Sequence, residues 1–268
     1  MNEKYLHLLK RSLTMSLYDD IEYYGDRDEQ FNFHEGKFRL NLKPITALRN
    51  VQLDFLRSCI EKTVRTEVPG DYVEVGVWRG GSCIWARNVL NELDESQRQV
   101  VLMDTFEGIP MPRHEYKDQW EYGKHHAGGA GDSDPGKQQL DTAYWDYKWD
   151  ANIQDVKGNF LKFNSLDKNV KFIKGAVGNV SIETVRKTLN NISVLRIDVD
   201  AYEGTYDALR LLYPLVSPGG IIIHDDSCIT ESAVAIDHYL AKLEPRSYIQ
   251  RPLNQWFNYE DSHIIKLK

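Results

Sequence analysis

The sequence predicts an α/β protein built around one mostly parallel sheet, and two observations lead to this prediction. Short β-like runs alternate with helical stretches over most of the chain, as expected for parallel strands joined by crossover helices. The length of 268 residues, 41% of them hydrophobic, suits one large domain with a substantial apolar core. We expect residues 1–43 to form an N-terminal arm or lid and residues 44–268 to form the main domain.

Two helices are predicted before the first strand. Residues 3–18 have an amphipathic pattern, with Leu6, Leu9, Leu13 and Leu17 on one side. Pro44 is expected to open a longer helix that runs to about Arg65, because proline is favoured in the first helical turn. The apolar face of this second helix is predicted to contain Leu48, Val51, Phe55, Cys59 and Ile60.

The main domain then repeats a strand and a helix, and it closes with a hairpin. Strands are predicted at 72–76, 100–104, 170–173, 194–198 and 220–225. Helices are predicted at 82–93, 181–189, 203–213 and 231–243. Two late β-like runs, near 248–249 and 263–265, are expected to pair as an antiparallel edge. The predicted sheet therefore has seven strands and is mostly parallel, with a C-terminal antiparallel hairpin.

A long segment interrupts this alternation between residues 107 and 150. It is rich in Gly, Asp, His, Tyr and Trp, and it includes the pair His125-His126. Connections of this length in a compact domain are usually functional lids or disordered segments. The high aromatic content argues against simple disorder, so we favour a lid insertion that contains some helix.

Charge and composition exclude several classes of protein. The formal net charge of -7 makes nucleic acid an improbable main partner, because an acidic surface repels phosphate backbones. Apolar runs such as 219–223 are far too short to span a membrane, and the first residues lack an apolar signal core, so we expect a cytoplasmic protein. Three cysteines without CxxC spacing favour neither a disulfide framework nor a zinc site.

A glycine-rich turn follows the first predicted strand, in the stretch Glu74-Val75-Gly76-Val77-Trp78-Arg79-Gly80-Gly81-Ser82. The amides of Gly81 and Ser82 would open the next helix, where partial positive charge favours an anion such as a carboxylate. The spacing is not the GxGxxG of dinucleotide binding, and the lysine of a phosphate-binding P-loop is absent. The alternative is a tight strand-to-helix turn that binds no ligand.

An acidic residue, Asp104, ends the second predicted strand. A carboxylate at this place can accept hydrogen bonds from both ribose hydroxyls of a nucleoside. A helix cap or a surface charge is the alternative. Together with the glycine turn, Asp104 predicts an adenosine-type site.

Acidic pairs follow the fourth and fifth predicted strands. Asp198 and Asp200 are two residues apart, and Asp225-Asp226 follows a fully apolar run. The two strand ends can be neighbours in a parallel sheet, and the gathered carboxylates would repel one another unless a cation neutralised them. Hard oxygen ligands select Mg²⁺, Ca²⁺ or Mn²⁺ rather than zinc. Scattered caps and salt bridges are the alternative.

Four stretches of this chain resemble the macrocin O-methyltransferase family, which includes the mycinamicin and novobiocin sugar methyltransferases. They are PGDYVEVGVWRGGS at 69–82, VLMDTFEGIP at 101–110, VLRIDVDAYEGTYDALRLLYPLVSPGG at 194–220 and IIIHDDS at 221–227. They stand in the expected order and cover most of the core from about residue 44. The resemblance implies a Rossmann-like, class I S-adenosylmethionine-dependent methyltransferase.

The resemblance also implies roles for individual residues. The methionine portion of the cofactor would be held by Glu74, Gly76, Arg79, Gly80, Gly81 and Ser82. Asp104 would bind the ribose with Thr105 and Phe106 alongside, and the adenine would be flanked by Gly175, Ala176 and Val177. Asp198, Asp225 and Asp226 would bind the metal, and Asp200 would be the general base.

This chain departs from the family at several places. The family usually has DGDLYEST where this chain has DVDAYEGT, so Val199 replaces a glycine. The lid and the segment 19–43, which contact the acceptor, also diverge. The resemblance therefore supports the reaction more than the substrate.

We predict a Mg²⁺-dependent O-methyltransferase that moves a methyl group from S-adenosylmethionine to a hydroxyl of a sugar, on a natural product or a glycan. The alternatives are an enzyme acting on a catechol-like phenol and a cofactor-binding protein without catalysis. A nicotinamide oxidoreductase is disfavoured by the missing GxGxxG. The expected partner is a small-molecule hydroxyl acceptor. A homo-oligomer could form through the N-terminal arm, although its apolar stripe could equally cover its own core.

Overall fold

A computed structural model describes residues 1–17, 44–110, 151–226, 230–251 and 263–268. The helices of these ranges are α1 (Glu3–Leu13), α2 (Asn50–Arg65), α3 (Gly81–Glu92), α4 (Ile153–Lys162), α5 (Ile182–Arg186), α6 (Tyr202–Leu212) and α7 (Thr230–Leu240). The strands are β1 (Asp71–Val75), β2 (Val100–Asp104), β3 (Val170–Lys174), β4 (Ile192–Ile197), β5 (Val216–His224), β6 (Tyr248–Arg251) and β7 (His263–Lys266). Short 3₁₀ turns follow β3 (Val177–Asn179) and α6 (Tyr213–Leu215).

The seven strands form one sheet in the order β3-β2-β1-β4-β5-β7-β6. The pairs among β1 to β5 are parallel, and β7 runs antiparallel to both β5 and β6. The predicted fold class, including the C-terminal antiparallel edge, is confirmed. The chain reverses its direction across the sheet between β1 and β4, and ligands of open α/β sheets bind outside the strand ends at such a point.

Helices cover both faces of the sheet, because alternate side chains of each strand point to opposite faces. Tyr72 and Leu102 belong to a core shared with α1 to α4. Val73 and Met103 belong to a second core, shared with α5, α6 and α7. Both faces of the central strands are therefore dry, which accounts for their continuous apolar runs.

The N-terminal helix packs on its own domain. Leu6, Leu9 and Leu13 are buried in the same core as α2 and α3. The helix ends at Leu13 rather than near residue 18, and Leu17 is exposed. Of the two alternatives for this apolar stripe, burial against its own core is the one observed.

The second helix begins six residues later than predicted, at Asn50 instead of Pro44. The backbone carbonyls before it are needed elsewhere: Pro44 accepts a hydrogen bond from Arg79 Nη1 (3.0 Å), and Ile45 accepts one from the Gly81 amide (3.0 Å). A helix from Pro44 would direct these carbonyls along its own axis. The segment 44–49 is therefore irregular and covers the glycine turn.

Helix α4 is an element that the sequence analysis missed. Asn152 caps it by accepting hydrogen bonds from the amides of Gln154 and Asp155 (2.9 and 3.0 Å). Val156 and Phe160 are fully buried on its inner face. The helix follows the predicted lid directly and packs beside the glycine turn.

Other element boundaries shift by a few residues: β5 starts earlier, at Val216, while α5 and α7 end earlier, at Arg186 and Leu240. The segment 19–43 and most of the predicted lid, including His125-His126, lie outside the described residues. None of the helices in the described ranges combines the length and the apolar content that crossing a bilayer requires.

Candidate active site

The carboxyl ends of β1, β2, β4 and β5 bring together most of the residues that the sequence analysis singled out. β4 lies between β1 and β5, so the turn that begins at Gly76 is adjacent to Asp198 and Asp225. The backbone links them directly, because the amide of Asp198 donates to the Val75 carbonyl (2.9 Å) and that of Asp225 to the Ile197 carbonyl (3.1 Å). The glycine turn and the acidic cluster are thus two parts of one edge.

Gly76 lets these two parts approach each other closely. Its φ is +83°, and a Cβ at this position would lie 1.6 Å from the backbone oxygen of Asp198. An L-residue is strained in this backbone region, and the contact leaves no space for any side chain. A glycine is therefore required here by the packing of β1 against β4.

The start of α3 differs from the predicted anion site. The Gly81 amide donates to the Ile45 carbonyl, and a Cβ on Gly81 would lie 2.5 Å from that oxygen. Gly80 is left-handed (φ +82°), and a Cβ on it would lie 2.8 Å from Val156 Cγ1 of α4. These glycines accommodate the 44–49 segment and α4, so the Gly81 amide is not available to an anion.

Arg79 and Ser82 flank the same turn. Arg79 reaches back to the Pro44 carbonyl, and its guanidinium carbon lies 4.1 Å from the centre of the Trp78 ring. Ser82 is buried and donates from Oγ to Glu74 Oε1 at 2.6 Å. Both side chains therefore hold the turn in place.

Glu74 is entirely buried beneath the turn, with 0% of its surface exposed. Oε1 accepts from Ser82 and from Arg196 Nη1 (both 2.6 Å), while Oε2 accepts from the Tyr72 hydroxyl (2.5 Å) and the Cys83 thiol (3.1 Å). Both oxygens are enclosed by the protein, and the role of Glu74 in cofactor binding stays a prediction. Glu74 supports the turn from below.

Asp104, at the end of β2, joins two turns. Oδ2 accepts from the Val77 amide and Oδ1 from the Phe106 amide, both at 2.7 Å. Burial raises the pKa of this carboxyl, against the opposing effect of the backbone amides that donate to it. The carboxylate is half-buried and already braces the turns after β1 and β2.

Thr105 and Phe106 shape the second turn. Thr105 Oγ1 donates to the Gly108 carbonyl at 2.5 Å. Phe106 adopts a left-handed backbone (φ +55°), and its ring is buried against Phe172 with a centroid separation of 6.1 Å. The Phe106 ring is therefore part of the core.

The segment after β3 lies next to Asp104. The Gly175 amide donates to the Asp104 carbonyl at 2.8 Å, and φ at Gly175 is +144°. Ala176 is half-buried, whereas Val177 packs into the second core. Gly175 and Ala176 stay at the strand-end crevice, and the side chain of Val177 is directed away from it.

Three carboxylates gather at the ends of β4 and β5. Asp198, Asp225 and Asp226 each offer one oxygen, and these three oxygens all lie within 4.8 Å of one another. The side chains of Asp198 and Asp225 are 29% and 21% exposed, and Asp226 is buried. Hard oxygen donors that converge in this way, two of them partly exposed, could hold a divalent cation such as Mg²⁺.

Asp200 lies beside this set but is not one of its three members. Asp226 Oδ2 accepts from the amides of Val199 (2.9 Å) and Asp200 (2.8 Å), which bends the chain sharply after β4. Asp200 takes up a left-handed backbone with φ of +56°. The turn brings its half-buried carboxyl close to that of Asp226.

Burial is the largest influence on the pKa values of Asp198, Asp200 and Asp226. Burial raises the pKa of Asp198 well above its usual value; Arg196 opposes this shift and the charges of Asp225 and Asp226 reinforce it. Burial and the charge of Asp198 raise the pKa of Asp200 to about 7. Burial and the charges of Asp200 and Asp225 raise the pKa of Asp226. The ionised cluster therefore needs more positive charge, which a bound cation would provide.

One buried cation, Arg196, was missed by the sequence analysis. Its side chain is 2% exposed and lies within 2.8 Å of carboxylate oxygens of Glu74, Asp198 and Asp225. A lone arginine within an apolar strand sequence is itself a signal, because arginine is rarely buried unless it is paired. Arg196 therefore supplies part of the positive charge that the gathered carboxylates need.

His224 faces away from the cluster. Its Nε2 shares a hydrogen bond with Ser232 Oγ of α7 at 2.8 Å, and the ring is buried. Burial lowers the pKa of His224 to about 4, so the ring is neutral at physiological pH. The side chain thus points to the face opposite Asp225.

Comparison with known proteins identifies the family. The model of the macrocin-O-methyltransferase (TylF) family matches residues 43–255. The chain belongs to the macrocin-O-methyltransferase family. It is 32% identical to the demethyldecarbamoylnovobiocin O-methyltransferase of Streptomyces niveus over 248 residues, which are 90% of this chain and 86% of that protein.

Other members agree with this assignment. The chain is 31% identical to the 8-demethyl-8-(2,3-dimethoxy-alpha-L-rhamnosyl)-tetracenomycin-C 4'-O-methyltransferase of Streptomyces olivaceus over 240 residues, 88% of this chain and 84% of that protein. The structure of the O-methyltransferase NovP superposes with a TM-score of 0.71 at 27% identity, covering 99% of each chain. As a member of this family, the chain is an S-adenosylmethionine-dependent O-methyltransferase, and a Rossmann-like class I fold is confirmed.

The departure from the family pattern at Val199 has a local structural counterpart. A Cβ on Gly204 would lie 3.0 Å from Val199 Cγ2, and a Cβ on Gly76 would lie 3.2 Å from Val199 Cγ1. The valine side chain therefore fills the space between these two glycines. The pattern DGDLYEST has a serine where this chain has Gly204, so the larger residue has moved from the helix to the turn.

Proposed function

We propose that this enzyme methylates a sugar hydroxyl, on a natural product or a glycan, with Mg²⁺ bound by Asp198, Asp225 and Asp226. The observation that carries the proposal is the convergence of three carboxylate oxygens within 4.8 Å at the strand-end crevice. The sugar is suggested by the Streptomyces olivaceus relative, whose name specifies a rhamnosyl group. Two vicinal sugar oxygens would fit a chelating site of this kind.

The three carboxylates suit Mg²⁺ in both chemistry and exposure. Asp198 and Asp225 are partly exposed and can meet an ion that still carries water or acceptor oxygens, as Mg²⁺ usually does. Asp226 is fixed in direction by the two amides that donate to its Oδ2. When bound, the ion lowers the pKa of an attached hydroxyl and fixes its orientation.

The cofactor would lie over the turns after β1, β2 and β3, where S-adenosylmethionine supplies a methyl group on a positive sulfonium. The backbone of Gly76, Arg79, Gly80, Gly81 and Ser82 would flank the methionine portion, with Glu74 holding that turn from below. Gly175 and Ala176 would border the adenine. Asp104, which is partly exposed at the end of β2, would accept from the ribose hydroxyls.

Asp200 is proposed as the proton acceptor. It lies beside the metal carboxylates without being one of the three gathered groups, so it can act on the acceptor hydroxyl without serving as a metal ligand. Its direction depends on the left-handed turn that the Asp226 carboxylate holds. General-base catalysis of this kind typically contributes about 10²–10⁴-fold in rate.

Methyl transfer to a library of glycosides, with simple catechols as competing acceptors, tests the proposal. We expect product from glycosides with S-adenosylmethionine and Mg²⁺, loss of turnover after complete metal removal by EDTA, and recovery on adding Mg²⁺. Asp225→Asn should abolish the Mg²⁺-dependent turnover, while Asp54→Asn, at an exposed position on α2, should leave it unchanged and serves as the control. Full turnover without metal would refute the metal role, and a preference for catechols would refute the sugar acceptor.

The ribose assignment has its own test. Asp104→Asn should weaken binding of S-adenosylhomocysteine, while Glu107→Gln, three residues later and exposed in an ion pair with Lys174, should not. Weaker binding in Glu107→Gln with normal binding in Asp104→Asn would instead assign the ribose contact to Glu107. Isothermal titration calorimetry measures both affinities directly.

A further inference from the structure

One guanidinium connects the three strands that carry the proposed site. Arg196 lies in β4, and its Nη1 is 2.6 Å from Glu74 Oε1 of β1 and 2.8 Å from Asp198 Oδ2. Its Nη2 is 2.8 Å from Asp225 Oδ1, just after β5. Arg196 therefore contacts two of the three carboxylates of the proposed metal site and the carboxylate beneath the glycine turn.

The contact with Asp225 is electrostatic rather than a well-directed hydrogen bond. Nη2 of Arg196 is buried and makes no hydrogen bond of good geometry with any residue that the structure describes. Gln52 Nε2 donates a long hydrogen bond to the same oxygen, Asp225 Oδ1, at 3.5 Å. Asp225 is thus held by this bond and by its charge pairing with Arg196, and its position depends on that guanidinium.

Glu74 continues the connection to the cofactor turn. Its Oε1 receives both Arg196 Nη1 and the Ser82 hydroxyl, and Ser82 lies in the first turn of α3. Glu74 is the only carboxylate of β1 that Arg196 contacts among the described residues. A displacement of Asp198 or Asp225 would therefore reach the glycine turn through two bonded side chains.

The chemistry of arginine suits this position and that of lysine does not. The guanidinium is a planar fork with five donors, so it can hold several carboxylates in fixed directions, whereas an ammonium is a single point of charge. Each aspartate also keeps one carboxylate oxygen apart from Arg196, because Arg196 contacts Asp198 through Oδ2 and Asp225 through Oδ1. The contact with Arg196 and the contact with a metal can therefore coexist.

We propose that Arg196 is a positioning residue: it holds Asp198 and Asp225 in place for the metal and, through Glu74, couples metal binding to cofactor binding. This inference rests on the proposed function, because it requires Mg²⁺ and the cofactor at this edge. Coupling of this kind is reciprocal, so each ligand tightens the binding of the other by the same factor.

The test compares Arg196→Lys with a matched control. Arg87 is equally buried, and it pairs with Asp167 and with the carbonyls of Ser96 and Arg98, away from the site. Arg87→Lys therefore loses the same fork in the same kind of environment. Isothermal titration calorimetry measures the affinity of each variant for Mg²⁺ alone, and for S-adenosylhomocysteine with and without Mg²⁺.

In the wild type we expect S-adenosylhomocysteine to bind at least about 5-fold more tightly with Mg²⁺ present. Arg196→Lys should weaken Mg²⁺ binding about 10–100-fold, the usual effect of removing a residue that orients metal ligands, and the ratio of the two cofactor affinities should fall to one. Arg87→Lys should leave the Mg²⁺ affinity and the ratio unchanged. A wild-type Mg²⁺ affinity and a wild-type ratio of cofactor affinities in Arg196→Lys would overturn the inference.

Glu74→Gln provides a second variant that retains the guanidinium and its two aspartates. We expect Mg²⁺ affinity close to that of the wild type and a ratio of cofactor affinities near one, because the link to the glycine turn is weakened. If Mg²⁺ tightened the binding of S-adenosylhomocysteine to Glu74→Gln as much as to the wild type, the coupling would not run through Glu74. A wild type that binds no Mg²⁺ would refute the proposed metal role itself. A wild type that binds Mg²⁺, with Arg196→Lys binding it equally well, would refute only the role of Arg196.

Discussion

Replacing Gly76 by alanine should damage stability and the metal site together. The new Cβ would lie 1.6 Å from the Asp198 carbonyl oxygen, whereas real Cβ atoms essentially never approach closer than 3.0 Å. The backbones of β1 and β4 must therefore separate by about 1.4 Å at this point. Asp198 is one of the three gathered carboxylates, so the displacement moves a proposed ligand of the metal.

Two contributions set the magnitude for Gly76→Ala. A left-handed backbone costs an L-residue about 1–2 kcal/mol, and overpacking a tight contact costs about 1–3 kcal/mol. The free energy of unfolding should therefore fall by about 2–5 kcal/mol, which lowers the Tm by roughly 5–15 °C for a domain of this size. A misplacement of about 1 Å at a reacting site can reduce the rate 10²-fold, so we expect kcat to fall by about that factor.

Urea unfolding and calorimetry measure the stability, and titration with Mg²⁺ measures the metal site. Gly158→Ala is the control, because Gly158 lies within α4 and a Cβ there meets nothing within 4 Å. It should stabilise the protein by about 0.5–1 kcal/mol, with unchanged Mg²⁺ affinity. A Gly76→Ala variant as stable as the wild type, with normal Mg²⁺ binding, would refute this account of the turn.

Three further substitutions test the packing around the site, all by urea unfolding. Gly204→Ala should leave the stability unchanged or lower it, because the new Cβ would lie 3.0 Å from Val199 Cγ2. In a Val199→Ala background the same substitution should stabilise the protein by about 0.5–1 kcal/mol. If Gly204→Ala had the same effect in both backgrounds, the contact with Val199 would be contradicted. Gly81→Ala should cost about 1–3 kcal/mol by displacing Ile45, and should also weaken cofactor binding in calorimetry; a neutral result would show that the 44–49 segment adjusts freely. Phe160→Ala should cost about 3–5 kcal/mol, because the ring is fully buried; a loss under about 1 kcal/mol would mean that α4 packs loosely.

The strands were predictable because their burial is continuous. The central strands have dry faces on both sides, so apolar residues run without interruption, as in Ile221 to Ile223. The C-terminal hairpin was also predicted, from two short β-like runs that pair in the observed order. The strands could therefore be recognised from local sequence, because strands that are buried on both faces are apolar along their whole length.

The errors arose where long-range contacts override local preference. Pro44 is compatible with the start of a helix, but its carbonyl accepts from Arg79, 35 residues away, and that contact is invisible to local patterns. Helix α4 had a readable signal, since Asn152 is a good N-cap and Ile153, Val156 and Phe160 are spaced for one helical face. Its position at the end of a long polar segment concealed it.

The candidate site was predictable in position more than in detail. The parallel alternation of strands already implied that Asp198 and the pair Asp225-Asp226 would be neighbours, and the structure brings them together. The internal saturation of Glu74 could not be read from the sequence, because its partners come from β1, α3 and β4. The assignment of metal and base roles remains a prediction.

A crystal structure with S-adenosylhomocysteine and Mn²⁺, recorded at a wavelength where Mn²⁺ scatters anomalously, tests the central claim most directly. Mn²⁺ accepts the same hard oxygen ligands as Mg²⁺. We predict one anomalous peak bonded to carboxylate oxygens of Asp198, Asp225 and Asp226, with Asp200 outside the coordination sphere. Saturating Mn²⁺ without a peak at these three residues would contradict the claim.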